Sequence, residues 1–203
     1  MTQGVSAAAK RMLDVVLTLV ALPVVLPLMT VIAVWVRLDS PGPACFRQER
    51  VGRGGKLFRI HKFRTMHAGP GGGLEITAAG DARITRAGRW LRRTKLDELP
   101  QLFDVLRGEM SLVGPRPEVA RYMAMYPVEV RQRILSVRPG LTDRAAIEFR
   151  DEERLLAGAD DPETIYVQRV MPIKQAYYLD YVEQHSVAGD LRILLDTLKA
   201  LLK

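Results

Sequence analysis

"VVLTLVALPVVLPLMTVIAVWV", residues 15–36, is 22 residues without a charged side chain. At about 1.5 Å per residue such a helix is roughly 33 Å long, enough to cross the apolar core of a bilayer. No small-residue cleavage pattern follows the run, so a removed signal peptide is not expected. Two features argue against a straight crossing. Pro23 and Pro27 stand near the middle of the run, where each removes a backbone hydrogen bond and invites a kink. Both flanks are also basic, with Lys10 and Arg11 before the run and Arg37, Arg47, Arg50 and Arg53 after it. A straight span would send one of these groups across the membrane, whereas a helix that bends and re-emerges keeps both on the cytoplasmic side. The expectation is a re-entrant membrane helix over residues 1–38, followed by a cytoplasmic domain over residues 39–203.

Outside the apolar run the chain is charged and unevenly so. Among 203 residues the net charge is +7; residues 1–95 carry 16 Lys/Arg against 5 Asp/Glu, and the remainder carries 14 against 18. The first half is therefore suited to an anionic partner such as lipid headgroups, phosphorylated substrates or nucleic acid. A 48% hydrophobic composition excludes a wholly disordered chain. Cys45 is the single cysteine, which excludes an intramolecular disulfide and a cysteine-rich zinc site. His61, His67 and His185 show no metal-ligand spacing and read as structural or surface residues.

After the turn cluster "DSPGP" (residues 39–43), "ACFRQERVG" and "KLFRIHKFRTM" read as two strands of a hairpin, turned at Gly52, Gly54 and Gly55. "GPGGG" (residues 69–73) reads as a flexible loop. "RITRAGRWLRRTKL" is a basic helix able to rest on anionic headgroups, with Trp90 and Leu91 on one side. Further helices are expected in "LPQLFDVLRGEM", in "PEVARYMAMYPVEVRQRILSV" with a break at Pro127, and in two amphipathic stretches that end the chain. The fold class is mainly α with a small β-hairpin, a re-entrant membrane helix and amphipathic interfacial helices.

Within "TKLDELPQLFDVLRGEMSLVGPRPE" (residues 94–118), Asp97 and Glu98 form an adjacent acidic pair. The plain reading is helix capping: Thr94 and Asp97 make a T-x-x-D pattern and Pro100 suits a first helical turn. A helix N-terminus among arginines would keep both acids ionised. An ionised Asp is also a nucleophile towards phosphorus, and a neighbouring Glu is a magnesium ligand. Phosphate beside two acids requires cations. Lys62 and Arg64, alternating with Phe63, are expected on one strand face; Arg116 sits on the rigid "GPRP" turn, and Arg138 precedes a Pro-Gly turn.

The blocks "FRQERVGRGGKLFRIHKFRTM", "ITRAGRWLRRTKLDELPQLFDVLRGEMSLVGPRPE" and "VRPGLTD", in this order, resemble the signature blocks of the bacterial sugar transferase family, the monotopic phosphoglycosyl transferases. "KRMLDVVLTLVALPVVLPL" resembles that family's re-entrant helix. The resemblance implies an enzyme at the cytoplasmic face of the bacterial inner membrane, among membrane phospholipid. Such enzymes move a phosphosugar from a UDP-sugar to undecaprenyl phosphate through a covalent aspartyl intermediate. It implies Asp97 as nucleophile and Glu98 as ligand of Mg2+, with Lys62 and Arg116 near the phosphates. Arg64 and Arg138 are added as phosphate-binding candidates. The resemblance leaves room for an oligomer. The chain departs from the pattern at Leu26, where a Ser usually precedes the proline, and at Asp104, Glu109 and Asp143-Arg144. It departs again in "AAIEFRDEERLL". The rival class is a membrane-anchored basic adaptor for anionic lipid or nucleic acid. No nucleic-acid fold signature supports it, and it gives the two acids no role.

Overall fold

The structure is a computed structural model that describes residues 7–67, 81–152 and 161–201. The glycine-rich loop at 69–73 lies outside the described residues. Helix α1 (Ala7–Asp39) runs through both prolines as one helix. Its most apolar 18 residues have a mean hydropathy of 2.7 and only 11% of them are buried, whereas the core helix of a soluble protein would be mostly buried. One stripe does pack on the protein. Asp14, Thr18, Met29, Ile32 and Val36 are buried along it, while Val16, Leu19, Val20, Val24, Val31 and Leu38 are exposed.

The rest of the protein grips α1 on both sides of the proline pair. Ahead of it, Arg11 donates to Val105 O at 2.5 Å and Leu106 O at 2.8 Å, while Asp14 accepts from Ser111 Oγ at 2.9 Å and Leu112 N at 3.1 Å. Behind it, Met29, Ile32 and Val36 pack against Phe63, Ala87 and Leu91. Asp39 then accepts from Ala87 N at 3.0 Å and Thr85 Oγ1 from Gly88 N at 2.9 Å, together satisfying donors at the start of α2 (Arg86–Thr94).

The hairpin forms as the alternating pattern and its glycine turn predict. Strand β1 (Cys45–Val51) pairs antiparallel with β2 (Leu57–Phe63), Val51 opposite Leu57 and Cys45 opposite Phe63. Gly54 and Gly55 supply the positive φ that the turn requires. Helix α3 (Gln101–Arg107) leads into a short strand β3 (Ser111–Val113), which pairs in parallel with β4 (Gly140–Thr142). Here two backbones touch: a Cβ on Gly140 would lie 2.2 Å from Gly114 N. That approach fixes the turn carrying Arg116 against the turn before Asp143.

Helices α4 (Ala120–Ala124) and α5 (Val128–Ile134) are separated at Pro127, as expected. After α6 (Arg144–Glu148), α7 (Pro162–Ile165) passes through a π-helical turn, Tyr166–Val170, into α8 (Met171–Gln184). The last helix, α9 (Val187–Leu201), lies against α1 and β3, with Asp190 at 2.8 Å from Lys10. The expected class, mainly helical with a small antiparallel hairpin and one long apolar N-terminal helix, is what the structure holds.

Candidate active site

The acidic pair sits in a 3₁₀ turn, Leu96–Glu98, between α2 and α3. Lys95 turns the chain there with φ of 57°, the one positive-φ non-glycine among the described residues, at roughly 1 kcal/mol of backbone strain. The capping expectation is corrected. Thr94 ends α2 rather than starting a helix, and its hydroxyl donates to Trp90 O at 2.9 Å and Leu91 O at 3.2 Å.

Glu98 is the hub of an ion-pair cluster. Lys62 Nζ, from the end of β2, donates to Oε1 at 2.9 Å. Arg116 reaches it with both terminal nitrogens, Nη1 to Oε2 at 2.8 Å and Nη2 to Oε1 at 2.5 Å, and Nη1 also donates to Leu141 O at 2.8 Å. The fork matches the two carboxylate oxygens as only an arginine can. Asp143 sets the turn from behind, its Oδ2 accepting from Arg116 N at 3.1 Å and its Oδ1 from Ala146 N at 2.7 Å.

The two acids differ in how readily they ionise. Burial opposes ionisation of Glu98, but Arg116 and Lys62 outweigh it and hold that carboxyl well below the usual range. Asp97, 7% exposed, is pushed up to about 6, mainly by burial and further by the charge of Glu98, against the partial offset of Lys62, Arg92 and Lys95. The expectation that both acids stay ionised therefore holds for Glu98 throughout the ordinary range and for Asp97 above about pH 6. Asp97 Oδ1 is buried without a hydrogen-bond partner among the described residues.

Two arginines picked from sequence lie elsewhere. Arg64 is buried and its Nη2 donates to Val36 O at 3.1 Å, Ser40 O at 2.6 Å and Ser40 Oγ at 3.0 Å, tying down the end of α1. The strand ends at Phe63, so the alternation that put Lys62 and Arg64 on one face stops short of Arg64. Arg138 donates to Gly108 O at 2.9 Å and lines a separate small cavity of about 100 Å³ with Arg53. The structure thus brings together Lys62, Asp97, Glu98 and Arg116 and leaves Arg64 and Arg138 outside.

Lys62, Glu98 and Arg116 line a cavity of about 800 Å³ with two unlike ends, and Asp97 is buried next to Glu98. One is apolar, formed by Leu17 and Ala21 of α1, Leu102 and Leu112, and Leu194 and Leu198 of α9. The other is polar and includes Glu118, Tyr166, Lys174 and Tyr178, which the sequence reading passed over. Tyrosines in an apolar run read as core, and these are both core and wall.

A long, mostly unburied apolar helix packed on a helical domain describes a membrane-associated protein, and its acid-and-cation cluster lies beside a half-apolar cavity. The bacterial sugar transferase model matches residues 5–203, and the chain belongs to that family. A UDP-glucose:undecaprenyl-phosphate glucose-1-phosphate transferase of Caulobacter vibrioides is 41% identical over 95% of this chain and 69% of its own length. One of the same name from Xanthomonas campestris pv. campestris is 41% identical over 93% of this chain and 38% of its own length. A UDP-N-acetylgalactosamine-undecaprenyl-phosphate N-acetylgalactosaminephosphotransferase of Aeromonas hydrophila is 36% identical over 97% of this chain and 44% of its own length. The chain thus spans less than half of the latter two relatives.

Proposed function

We propose that the chain is a phosphoglycosyl transferase that moves a phosphosugar from a UDP-sugar to undecaprenyl phosphate, with Asp97 as nucleophile. The observation that carries this is a buried carboxylate with an unpartnered oxygen, Asp97, directly beside a second carboxylate, Glu98, that lines the cavity and already holds two cations suited to phosphate. The family membership and the relatives' names support the substrates.

In the first step a diphosphate engages Arg116 and Lys62, and an Asp97 oxygen attacks the sugar-bearing phosphorus. An Asp97–phosphorus bond forms, the bond to the bridging oxygen breaks, and UMP leaves with that oxygen. In the second step the phosphate of the lipid attacks the same phosphorus and frees the Asp97 carboxylate, leaving a lipid-linked diphosphate sugar. The first step uses Asp97 ionised, and burial keeps it protonated below about pH 6. The kcat/KM for donor should fall about tenfold per pH unit below 6 and level off above it. A flat profile from pH 5 to 8 would contradict this assignment.

Magnesium fits the pair only in company. Among the described residues no group of three acids or histidines could cage an ion by itself, but Asp97, with its buried unpartnered oxygen, and Glu98 are adjacent carboxylates of the kind that hold Mg2+ together with substrate phosphates. Glu98 is the residue assigned to it, once phosphates draw Arg116 and Lys62 away. When bound, the ion would neutralise diphosphate charge.

The lipid acceptor explains the apolar end of the cavity, where Leu17 and Ala21 face Leu194, Leu195 and Leu198. We place the protein as a monotopic one at the cytoplasmic face of the bacterial inner membrane, with α1 re-entrant. The grip on α1 from the same domain on both sides of Pro23 and Pro27 supports this, since a span would separate those contacts by the bilayer. The exposed Arg86, Arg89 and Arg93 of α2 suit anionic headgroups, and Trp90, 5.4 Å from Trp35, continues the apolar face of α1. Cysteines introduced at Ala7 and Leu38 should both resist a membrane-impermeant thiol reagent applied from the periplasm. Labelling at Ala7 would sink the re-entrant reading.

A further inference from the structure

The transfer just described leaves the polar end of the cavity unused. Tyr166 Oη donates to Glu118 Oε1 at 2.6 Å. Lys174 Nζ bonds Glu152 and stands 5.0 Å from the centre of the Tyr166 ring. Beside them is Tyr178, 1% exposed, whose hydroxyl has no hydrogen-bond partner among the described residues. All five residues line the cavity that holds Glu98 and Arg116. Tyr166 begins the π-helical turn Tyr166–Val170; such turns are rare and recur at functional sites. A buried hydroxyl without a partner is costly, and a ligand group that bonds it removes the cost.

Resting on the function proposed above, we infer that this end is the subsite for the transferred sugar and that Tyr178 reads one of its hydroxyl or acetamido groups. A pyranose carries several groups that both donate and accept. They match a wall that offers carboxylates at Glu118 and Glu152 beside donors at Tyr178 and Lys174, with the rings of Tyr166 and Phe149 for the C–H face. Uracil fits poorly, because its one imide N–H lies between two carbonyls that two carboxylates would repel. The chain's own sequence agrees. Glu152 falls in "AAIEFRDEERLL", the stretch that departs from the family pattern, and the relatives' names differ in the sugar, glucose in one and N-acetylgalactosamine in another. A wall that varies belongs against the part of the substrate that varies.

The test uses the full chain in detergent and measures UMP release from UDP-glucose, UDP-galactose, UDP-xylose, UDP-N-acetylglucosamine and UDP-N-acetylgalactosamine. Tyr178→Phe keeps the ring and removes an unpartnered buried hydroxyl, so a melting midpoint equal to or above that of wild type verifies the fold. For the preferred donor kcat/KM should fall about tenfold or more, and for a donor lacking or inverting the group that Tyr178 reads, by less than about twofold. Inhibition by UMP should stay within about twofold of wild type. Glu152→Gln should flatten the same ranking. Equal loss on every donor, or weakened UMP inhibition in parallel, would assign the wall to the uridine or to packing and overturn the inference. A ranking unchanged in both variants overturns it alone. Wild-type protein that releases UMP from none of the five donors would overturn the function proposed above as well.

Discussion

Asp97→Asn is expected to abolish UMP release and covalent labelling while leaving the fold intact. The amide has nearly the same shape, and the carboxyl it replaces carries a buried oxygen that makes no hydrogen bond, so little packing is lost. The substitution even removes a charge that burial opposes. What it removes entirely is the nucleophile, because an amide oxygen at that place cannot form a stable bond to phosphorus. Turnover should fall by at least about 10³-fold, beyond the effect of removing one electrostatic contact. The melting midpoint should stay within a few degrees or rise. A variant that keeps a tenth of wild-type turnover would remove Asp97 from the chemistry.

Arg116→Met should damage both stability and turnover, and for a different reason. Arg116 makes two bonds to Glu98 and one to the Leu141 carbonyl, and its removal leaves Glu98 paired with Lys62 in a largely desolvated wall. Breaking a buried pair from one side costs about 3 kcal/mol, which for a chain of this size corresponds to a melting shift on the order of 10 °C. Glu98 also loses the cation that most strongly keeps it ionised, so its carboxyl should titrate higher in the variant. Turnover should fall about 10²–10³-fold through the lost phosphate contact. Arg116→Lys restores the charge but not the fork, and should recover stability better than turnover. The double change Arg116→Met with Glu98→Gln should cost less stability than the sum of the two single changes, since each removes the other's unpaired partner. Additive losses would show that the pair does not act as a unit.

Much of this site was legible from residue order, and the exceptions have physical causes. The hairpin followed from alternation and its glycine turn, and the break at Pro127 from the proline itself. The uncharged run marked α1 without revealing that one stripe of it would be buried. The pairing of β3 with β4 was hidden because each strand is three residues long, too short for a periodic signal, and its clearest trace is the close approach of Gly114 and Gly140. Lys62 and Arg116 were found because chemistry demanded cations near the acids. Arg64 was misplaced by extending strand alternation past the strand's end, and Arg138 by treating an arginine before a Pro-Gly turn as equivalent to Arg116. Thr94 was read as a cap because the left-handed turn at Lys95 leaves no mark in a lysine. The raised Asp97 was invisible too, because burial is set by the surrounding fold and not by the "DE" pair.

The central claim is that Asp97 becomes covalently attached to the phosphosugar, and the most direct measurement is the intact mass of the protein after incubation with a UDP-sugar and Mg2+ in the absence of the lipid acceptor. The predicted result is a gain of one sugar phosphate of the donor used, mapped to the peptide containing Asp97, absent from Asp97→Asn and discharged when undecaprenyl phosphate is added. Full turnover with acceptor present, but no adduct at any time when it is withheld, would contradict the account and favour direct attack by the lipid.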